Sequence, residues 1–251
     1  MEDKKEKILV LSSGGIDSTT CLAIAIDKVG KENVEALNIT YGQKHVKEVK
    51  QAEKIAEYYG INHTHIDLSE IMKYSNCPLL QHSTESIKHE AYADQLAEIG
   101  GEGTVDTYVP FRNGLMLSTA ASYAISKGCT QIYYGAHADD AAGRAYPDCT
   151  PEFSEAMNAA IYEGSGRLVK MVAPLINLNK AGVVKIGIEL KAPYHLTWSC
   201  YEGGEKQCGS CGTCIDRQLA WKTNGYIDPV GYAIDVDWCD CKEYNVVSSE
   251  A

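Results

Sequence analysis

Ile8-Leu9-Val10-Leu11-Ser12-Ser13-Gly14-Gly15-Ile16-Asp17-Ser18 is the stretch whose reading decides the fold. It opens as an apolar, β-forming run, which the serines and glycines then break. From Thr19 to Lys28 apolar residues return at helical spacing, at Cys21, Leu22, Ala25 and Ile26. The segment reads as strand, glycine turn, helix. In a parallel sheet ligands bind beyond the carboxyl ends of the strands, where this turn lies. Free backbone N–H groups and the positive end of the helix dipole make such a turn receptive to phosphate or pyrophosphate. Gly14 and Gly15 let the backbone approach an anion with no Cβ in the way, and the serine hydroxyls add donors. Asp17 is a carboxylate within this anion site; it needs a cation between itself and phosphate, which suggests Mg²⁺. Neither G-x-x-x-x-G-K-[ST] nor G-x-G-x-x-G is present, which argues against P-loop phosphoryl transfer and dinucleotide binding.

Working outward, Val34–Tyr41 reads as a second strand, His45–Tyr59 as an amphipathic helix stopped by Gly60, and His63–Leu68 as a third strand. Leu115–Ser126 is an apolar helix, Gln131–Ala136 a fourth strand and Glu152–Tyr162 a helix. Leu168–Ala173 and Lys180–Leu190 form a last strand and helix. Strands alternating with helices predict an α/β fold with a doubly wound, mostly parallel sheet. Residues 69–107 fit no period and carry Gly100-Gly101-Glu102-Gly103, so they read as an irregular insertion or lid.

The chain has 251 residues, 45% hydrophobic and 23% charged, enough to bury a core without staples. Thirty-four acids against twenty-three bases leave a net charge of −11, which argues against a protein that grips a nucleic-acid backbone. No run of about 18 apolar residues occurs, so no membrane-spanning helix is expected. Met1–Lys7 is charged and the apolar run after it is too short for a signal peptide, so a cytoplasmic protein is expected.

Ten cysteines divide into two kinds. Cys21, Cys77, Cys129 and Cys149 are scattered and read as plain thiols. Cys200, Cys208, Cys211 and Cys214 form C-x7-C-x2-C-x2-C with glycines at 203, 204, 209 and 212. Two-residue spacers let thiolates converge on one ion, and the glycines permit the turns this requires. Four sulfurs suit a tetrahedral, closed structural Zn²⁺ site. An iron–sulfur cluster is the rival, but its C-x3-C-P continuation is missing after Cys214. Cys239 and Cys241 form a C-x-C that reads as incidental.

The serine-glycine string resembles the pyrophosphate loop of the ATP pyrophosphatase superfamily. Tyr41-Gly42-Gln43-Lys44-His45, Thr107-Tyr108-Val109-Pro110-Phe111-Arg112-Asn113, Tyr146 through Phe153 and Leu196-Thr197-Trp198-Ser199-Cys200-Tyr201 with the cysteine cluster narrow the resemblance. In that order, from residue 8 to about residue 225, they resemble the 7-cyano-7-deazaguanine synthase family. Gly135–Asp140 matches only some branches, and the insertion and the tail after Gly225 match poorly.

The resemblance implies an adenine-nucleotide hydrolase-like, Rossmann-like α/β domain over residues 1–195. Residues 196–251 would be a zinc-binding C-terminal region of the same compact unit. It implies a ligase that converts 7-carboxy-7-deazaguanine, ammonium and ATP into 7-cyano-7-deazaguanine, the precursor of queuosine and archaeosine, and that works as a homodimer. Ser13, Gly14, Gly15, Asp17 and Ser18, with Ser12 at the margin, would hold ATP phosphates. Lys180, opening the last helix, matches a family lysine that reaches the α-phosphate or pyrophosphate; as a residue it also reads as a solvated helix lysine. Arg112, one of four arginines, suits a bidentate partner for phosphate or carboxylate, or a structural pair. Tyr146, Asp148 and Glu152 would line the deazaguanine side, since carboxylates suit its N1–H and 2-amino edge. Glu152 beside Pro151 reads equally as a first-turn helix acid. Gln43 would contact nucleotide or substrate. His45 and His137 suit a proton shuttle from ammonium, or packed and capping roles. Three rivals share parts of this pattern: a tRNA-thiolating relative, a sister enzyme that stops at the amide or uses another amine, and a nucleotide-binding module without catalysis.

Overall fold

The computed structural model describes residues 6–44 and 47–245. His45 and Val46, the expected start of the second helix, lie outside them. Five strands, β1 (Ile8–Leu11), β2 (Val34–Thr40), β3 (Asn62–Asp67), β4 (Gln131–Tyr133) and β5 (Lys170–Val172), form one sheet in the order β3-β2-β1-β4-β5. Every neighbouring pair is parallel, with Ile8 opposite Val34 on one side of β1 and opposite Gln131 on the other. The chain winds outward from β1 to β3, then crosses back to add β4 on the other side, so the sheet is doubly wound. The strand ends diverge between β1 and β4, where such sheets open a crevice.

Both faces of the sheet are covered, which is why β1 and β2 read as nearly continuous apolar runs. Side chains nonetheless alternate between the faces. Ile8, Val10, Val34 and Ala36 pack with α1 (Ile16–Val29), α2 (Lys47–Tyr59), α8 (Lys180–Glu189) and α9 (Gly212–Thr223). Leu9, Leu37, Ile39 and Ile132 pack with α5 (Arg112–Lys127) and α7 (Pro151–Gly164) on the opposite face. Among the described residues no helix is long and apolar enough to cross a membrane.

Two expectations are corrected. The fourth strand stops at Tyr133, three residues short of Ala136, because Gly135 leaves the sheet to pass the start of α1. A Cβ at Gly135 would stand 3.0 Å from the Asp17 Cβ, tighter than ordinary contact, so glycine suits this close approach. Residues 69–107 are not uniformly irregular, since they contain the short helices α3 (Ser69–Met72) and α4 (Tyr92–Glu98). The segment has a small core of its own, in which Met72, Cys77, Leu79 and Leu80 pack on Tyr41 and Val109. It is tied to the loop after β2 by Lys44 N–H to Leu79 O (2.8 Å) and Gln81 N–H to Gly42 O (2.9 Å).

The C-terminal region packs on the same core. Trp221 of α9 is fully buried and meets Tyr194 edge-on at 5.4 Å. Arg217, also fully buried, donates two hydrogen bonds to Asp228 (2.6 and 2.9 Å) and one to Ser199 Oγ (3.0 Å).

Candidate active site

The glycine turn adopts the geometry its composition requires. Gly14 sits at φ +87°, and its missing Cβ makes room for the Glu48 carbonyl of α2. Gly15 caps α1 with no side-chain hydrogen bond, which leaves first-turn N–H groups for a ligand, apart from that of Asp17, which its own carboxylate accepts. Ser13 and Ser18 brace the turn: Ser13 N–H donates to Ser18 Oγ (3.2 Å) and Gly15 N–H to Ser13 Oγ (3.3 Å). Trp198 N–H donates to Gly14 O (2.9 Å), so the segment two residues before Cys200 clamps the loop.

A cleft of about 260 Å³ opens in front of this turn, between the ends of β1, β2 and β4. Lys180 crosses it from the start of α8, and its Nζ lies 2.7 Å from both carboxylate oxygens of Asp17. The cation that Asp17 needs is here the Lys180 ammonium. Burial pushes the Asp17 carboxyl up, but Lys180 and then His137 outweigh it and hold the group below its ordinary value. His137 is nearly fully buried, with Nε2 at 3.3 Å from Asp140 and 3.7 Å from Asp17; its Nδ1 has no partner among the described residues. Lys180 N–H donates to Asp139 (2.7 Å) through α6 (Ala138–Ala141), which fixes the start of α8.

Arg112 stands across the cleft at the first position of α5. Its guanidinium lies 5.0 Å from the Tyr41 ring centre and donates to the Tyr41 hydroxyl (3.0 Å). Gln43 turns its side-chain oxygen back to the Tyr41 N–H (2.9 Å) and lines the same wall. Tyr146 lines the cleft and shares a 2.6 Å hydrogen bond with Thr107. The other two residues expected around the base lie elsewhere. Asp148 is buried behind the cleft, where it accepts the Asn113 N–H (2.8 Å) and so caps the turn that carries Arg112. Glu152 is exposed in the first turn of α7 after Pro151 and is not among the residues that line the cleft. Ser12, Ser13, Gly15, Asp17 and Ser18 all line the cleft, while Gly14 supports the turn from behind.

Two further carboxyl groups line the cleft. Burial raises Glu48 of α2 to about 7, with Arg112 opposing the shift. Burial also raises Asp216 of α9 to about 6, with Lys180 opposing. Glu48 lies three residues beyond the Tyr41–His45 block on the same helix pattern, and Asp216 two residues after the last clustered cysteine. Spacing from those motifs was the available signal.

Cys200, Cys208, Cys211 and Cys214 come together with all four sulfurs within 4.8 Å of one another. A tetrahedral zinc–thiolate site has sulfur–sulfur edges of about 3.8 Å, and the Cys208–Cys214 separation is 3.9 Å. Backbone N–H groups of Glu202 and Cys208 point at Cys200 Sγ (3.3 and 3.2 Å), and those of Ser210 and Cys211 at Cys208 Sγ (3.4 and 3.3 Å). Such donors suit thiolates, so the set fits a closed metal site. Cys239, exposed, and Cys241 lie outside this set.

The family profile described as "Queuosine biosynthesis protein QueC" matches residues 7–225. The chain belongs to the QueC family. It is 40% identical over 232 residues to the 7-cyano-7-deazaguanine synthase of Caldicellulosiruptor saccharolyticus, spanning 92% of this chain and 98% of that one. With the 7-cyano-7-deazaguanine synthase of Archaeoglobus fulgidus it shares 39% over 233 residues, 92% of each chain. With that of Thermoplasma acidophilum it shares 41% over 235 residues, 91% of this chain and 93% of the relative. The QueC family match begins one residue before β1 and runs past the end of α9, so it takes in the glycine turn, Arg112, Lys180 and the four cysteines.

Proposed function

We infer that this chain is a 7-cyano-7-deazaguanine synthase, which uses ATP to turn 7-carboxy-7-deazaguanine and ammonium into the nitrile needed for queuosine and archaeosine. The observation that carries this reading is the pairing of Lys180 with Asp17 at an uncapped helix start, facing Arg112 across one cleft. The first group of residues suits the phosphates and the second the carboxylate of the acid.

A carboxylate is a poor electrophile. Its oxygen attacks the α-phosphorus of ATP, pyrophosphate leaves, and the acyl adenylate has AMP as its leaving group. Ammonium first gives up a proton to solvent, and the ammonia formed attacks the acyl carbon with its lone pair; the carbon–oxygen bond to AMP breaks, and a second proton leaves the nitrogen to give the amide. A second ATP activates the amide oxygen in the same way, and loss of AMP and the two amide protons leaves the nitrile. The α1 N–H groups and Ser13 and Ser18 would cradle the pyrophosphate portion, and Lys180 would move from Asp17 onto phosphate oxygens. Asp17 is the carboxylate that would hold Mg²⁺ with ATP; the ion supplies charge neutralisation on the phosphates. Arg112 would orient the acid by a bidentate contact, with Tyr146 and Gln43 beside it.

The four cysteines would hold a structural Zn²⁺ that fixes Trp198 against Gly14 and thereby the phosphate turn. Residues 1–195 and 196–251 would then act as one unit. On this reading the protein works on small molecules without a nucleic-acid partner, as a homodimer in the cytoplasm.

The test is mass spectrometry of a reaction with 7-carboxy-7-deazaguanine, ATP, Mg²⁺ and ammonium, with AMP counted alongside the base. The nitrile with one AMP for each activation is expected. Product stalled at the amide, AMP release without nitrile, or no AMP at all would each refute the reading.

A further inference from the structure

Beside the main cleft lies a second, much smaller chamber of about 30 Å³. A chamber of this size holds one or two molecules as small as water. Tyr41, Gln43, Glu48 and Tyr201 line both spaces, so the chamber is a side room of the cleft. Leu79, buried in the small core of the insertion, and Cys200 of the cysteine set also line it.

The chemistry of the wall is selective. Ammonium only donates hydrogen bonds, so a site for it needs acceptors and a negative charge. Glu48 supplies the carboxyl group; burial raises it to about 7, and a cation bound beside it would favour its charged form, as Arg112 does. The Tyr41 hydroxyl already accepts from Arg112 and keeps a second lone pair, as does the Gln43 oxygen that accepts from Tyr41 N–H. Lys44 also borders the chamber, but its ammonium is bonded to the Glu85 carbonyl (3.1 Å). Of the other carboxyl groups of the cleft, Asp17 is bonded to the Lys180 ammonium, Asp139 accepts the Lys180 N–H and Asp140 lies 3.3 Å from His137, while Asp216 lines the main cleft but not the chamber.

We propose that this chamber is the ammonium site, with Glu48 as the counter-ion that captures the co-substrate. The proposal rests on the synthase reading above and deepens it. Tyr41 joins the two halves of the reaction: one face of its hydroxyl meets the guanidinium that would hold the acid, and its ring borders the nitrogen site. Ammonium would thus wait next to the carbon it has to reach, while Leu79 keeps larger amines out.

The experiment measures initial rates against ammonium, with the acid-dependent exchange of labelled pyrophosphate into ATP followed in parallel. Glu48→Gln is expected to raise the KM for ammonium by at least about tenfold, the scale of one lost charge-assisted hydrogen bond. The KM values for ATP and the acid, and the exchange rate, should stay within about twofold of the wild type, on the same scale. An unchanged ammonium KM overturns the proposal, as does an equal loss of pyrophosphate exchange, which would mark a general effect on the cleft. Leu79→Ala gives an independent measure, because it should enlarge the chamber and let methylammonium yield an N-methyl amide, detected by mass. Absence of that product from a Leu79→Ala protein that still uses ammonium overturns the proposal. Failure of the wild type to form amide or nitrile from ammonium overturns the synthase reading itself, with both variants aside.

Discussion

Gly14→Ala tests the link between the phosphate turn and the helix behind it. At φ +87° a residue with a Cβ costs about 1–2 kcal/mol more than glycine. The added carbon would also lie 2.4 Å from the Glu48 carbonyl oxygen and 2.8 Å from the Ala52 nitrogen, and both are backbone atoms of α2. Ordinary contact begins near 3.4 Å, so the turn and α2 must part by about 1 Å. Overpacking of this kind costs about 1–3 kcal/mol, which brings the total to about 2–5 kcal/mol. For a chain of this size the melting temperature should fall by about 4–20 °C. Activity should suffer more than stability, because a shift of about 1 Å at a phosphate cradle costs on the order of 10²-fold in rate. Gly15→Ala is the control for stability only, because Gly15 lines the cleft. Gly15 lies at φ −87°, and its added Cβ would make ordinary contacts at 3.4 and 3.5 Å. Acid-dependent ATP–pyrophosphate exchange and thermal melting of the two variants decide the matter. If Gly14→Ala melts like Gly15→Ala and exchanges like the wild type, the close approach of turn and helix does not govern the site.

Asp228→Asn should leave the fully buried Arg217 charge without its partner and cost about 3–5 kcal/mol; a melting temperature within 2 °C of the wild type, by the about 2–4 °C per kcal/mol expected here, would contradict this. Cys211→Ser should remove bound zinc and lower the melting temperature, read by metal analysis and calorimetry on the same sample; full zinc content at normal stability would exclude a metal role for the cluster. Asp17 contributes to the pH dependence of folding. Its carboxyl is held below the ordinary 3.8 in the folded state, so its stabilisation is fully present above about pH 4 and disappears as the pH falls through the depressed value. Acid titration of the wild type should therefore show a steeper loss below pH 4 than Asp17→Asn, and parallel curves would argue that Lys180 does not stabilise the charged form.

Much of the fold was legible in local patterns. The strand–turn–helix at residues 8–29 lies where its composition placed it, and β2, β3, α5, α7, β5 and α8 each fall within a few residues of their expected bounds. Those segments are long or strongly periodic, and the parallel sheet buries both of its faces, so hydrophobicity alone marks them. The misjudged end of β4 is a different kind of fact. Tyr134-Gly135-Ala136 is as apolar as a strand, and the close approach of Gly135 to Asp17 appears only in the folded chain. Likewise, residues 69–107 have no clear period because their small core is completed by Tyr41 and Val109 from elsewhere in the chain.

The site divides along the same line. The sequence by itself determined the phosphate turn and the cysteine set, because each is built from neighbours whose spacing carries the geometry: glycines at a helix start, thiols two residues apart. Tertiary structure alone decided that Lys180 reaches Asp17 across 163 positions of chain, that Arg112 faces them beside Tyr41, and that Glu48 and Asp216 line the same cleft. It also decided that Asp148 supports the Arg112 turn and that Glu152 is exposed. Charged side chains show no periodicity that records their partners. Their partners are set by which strand ends the doubly wound sheet brings together, and that choice rests on the burial of both faces of the sheet.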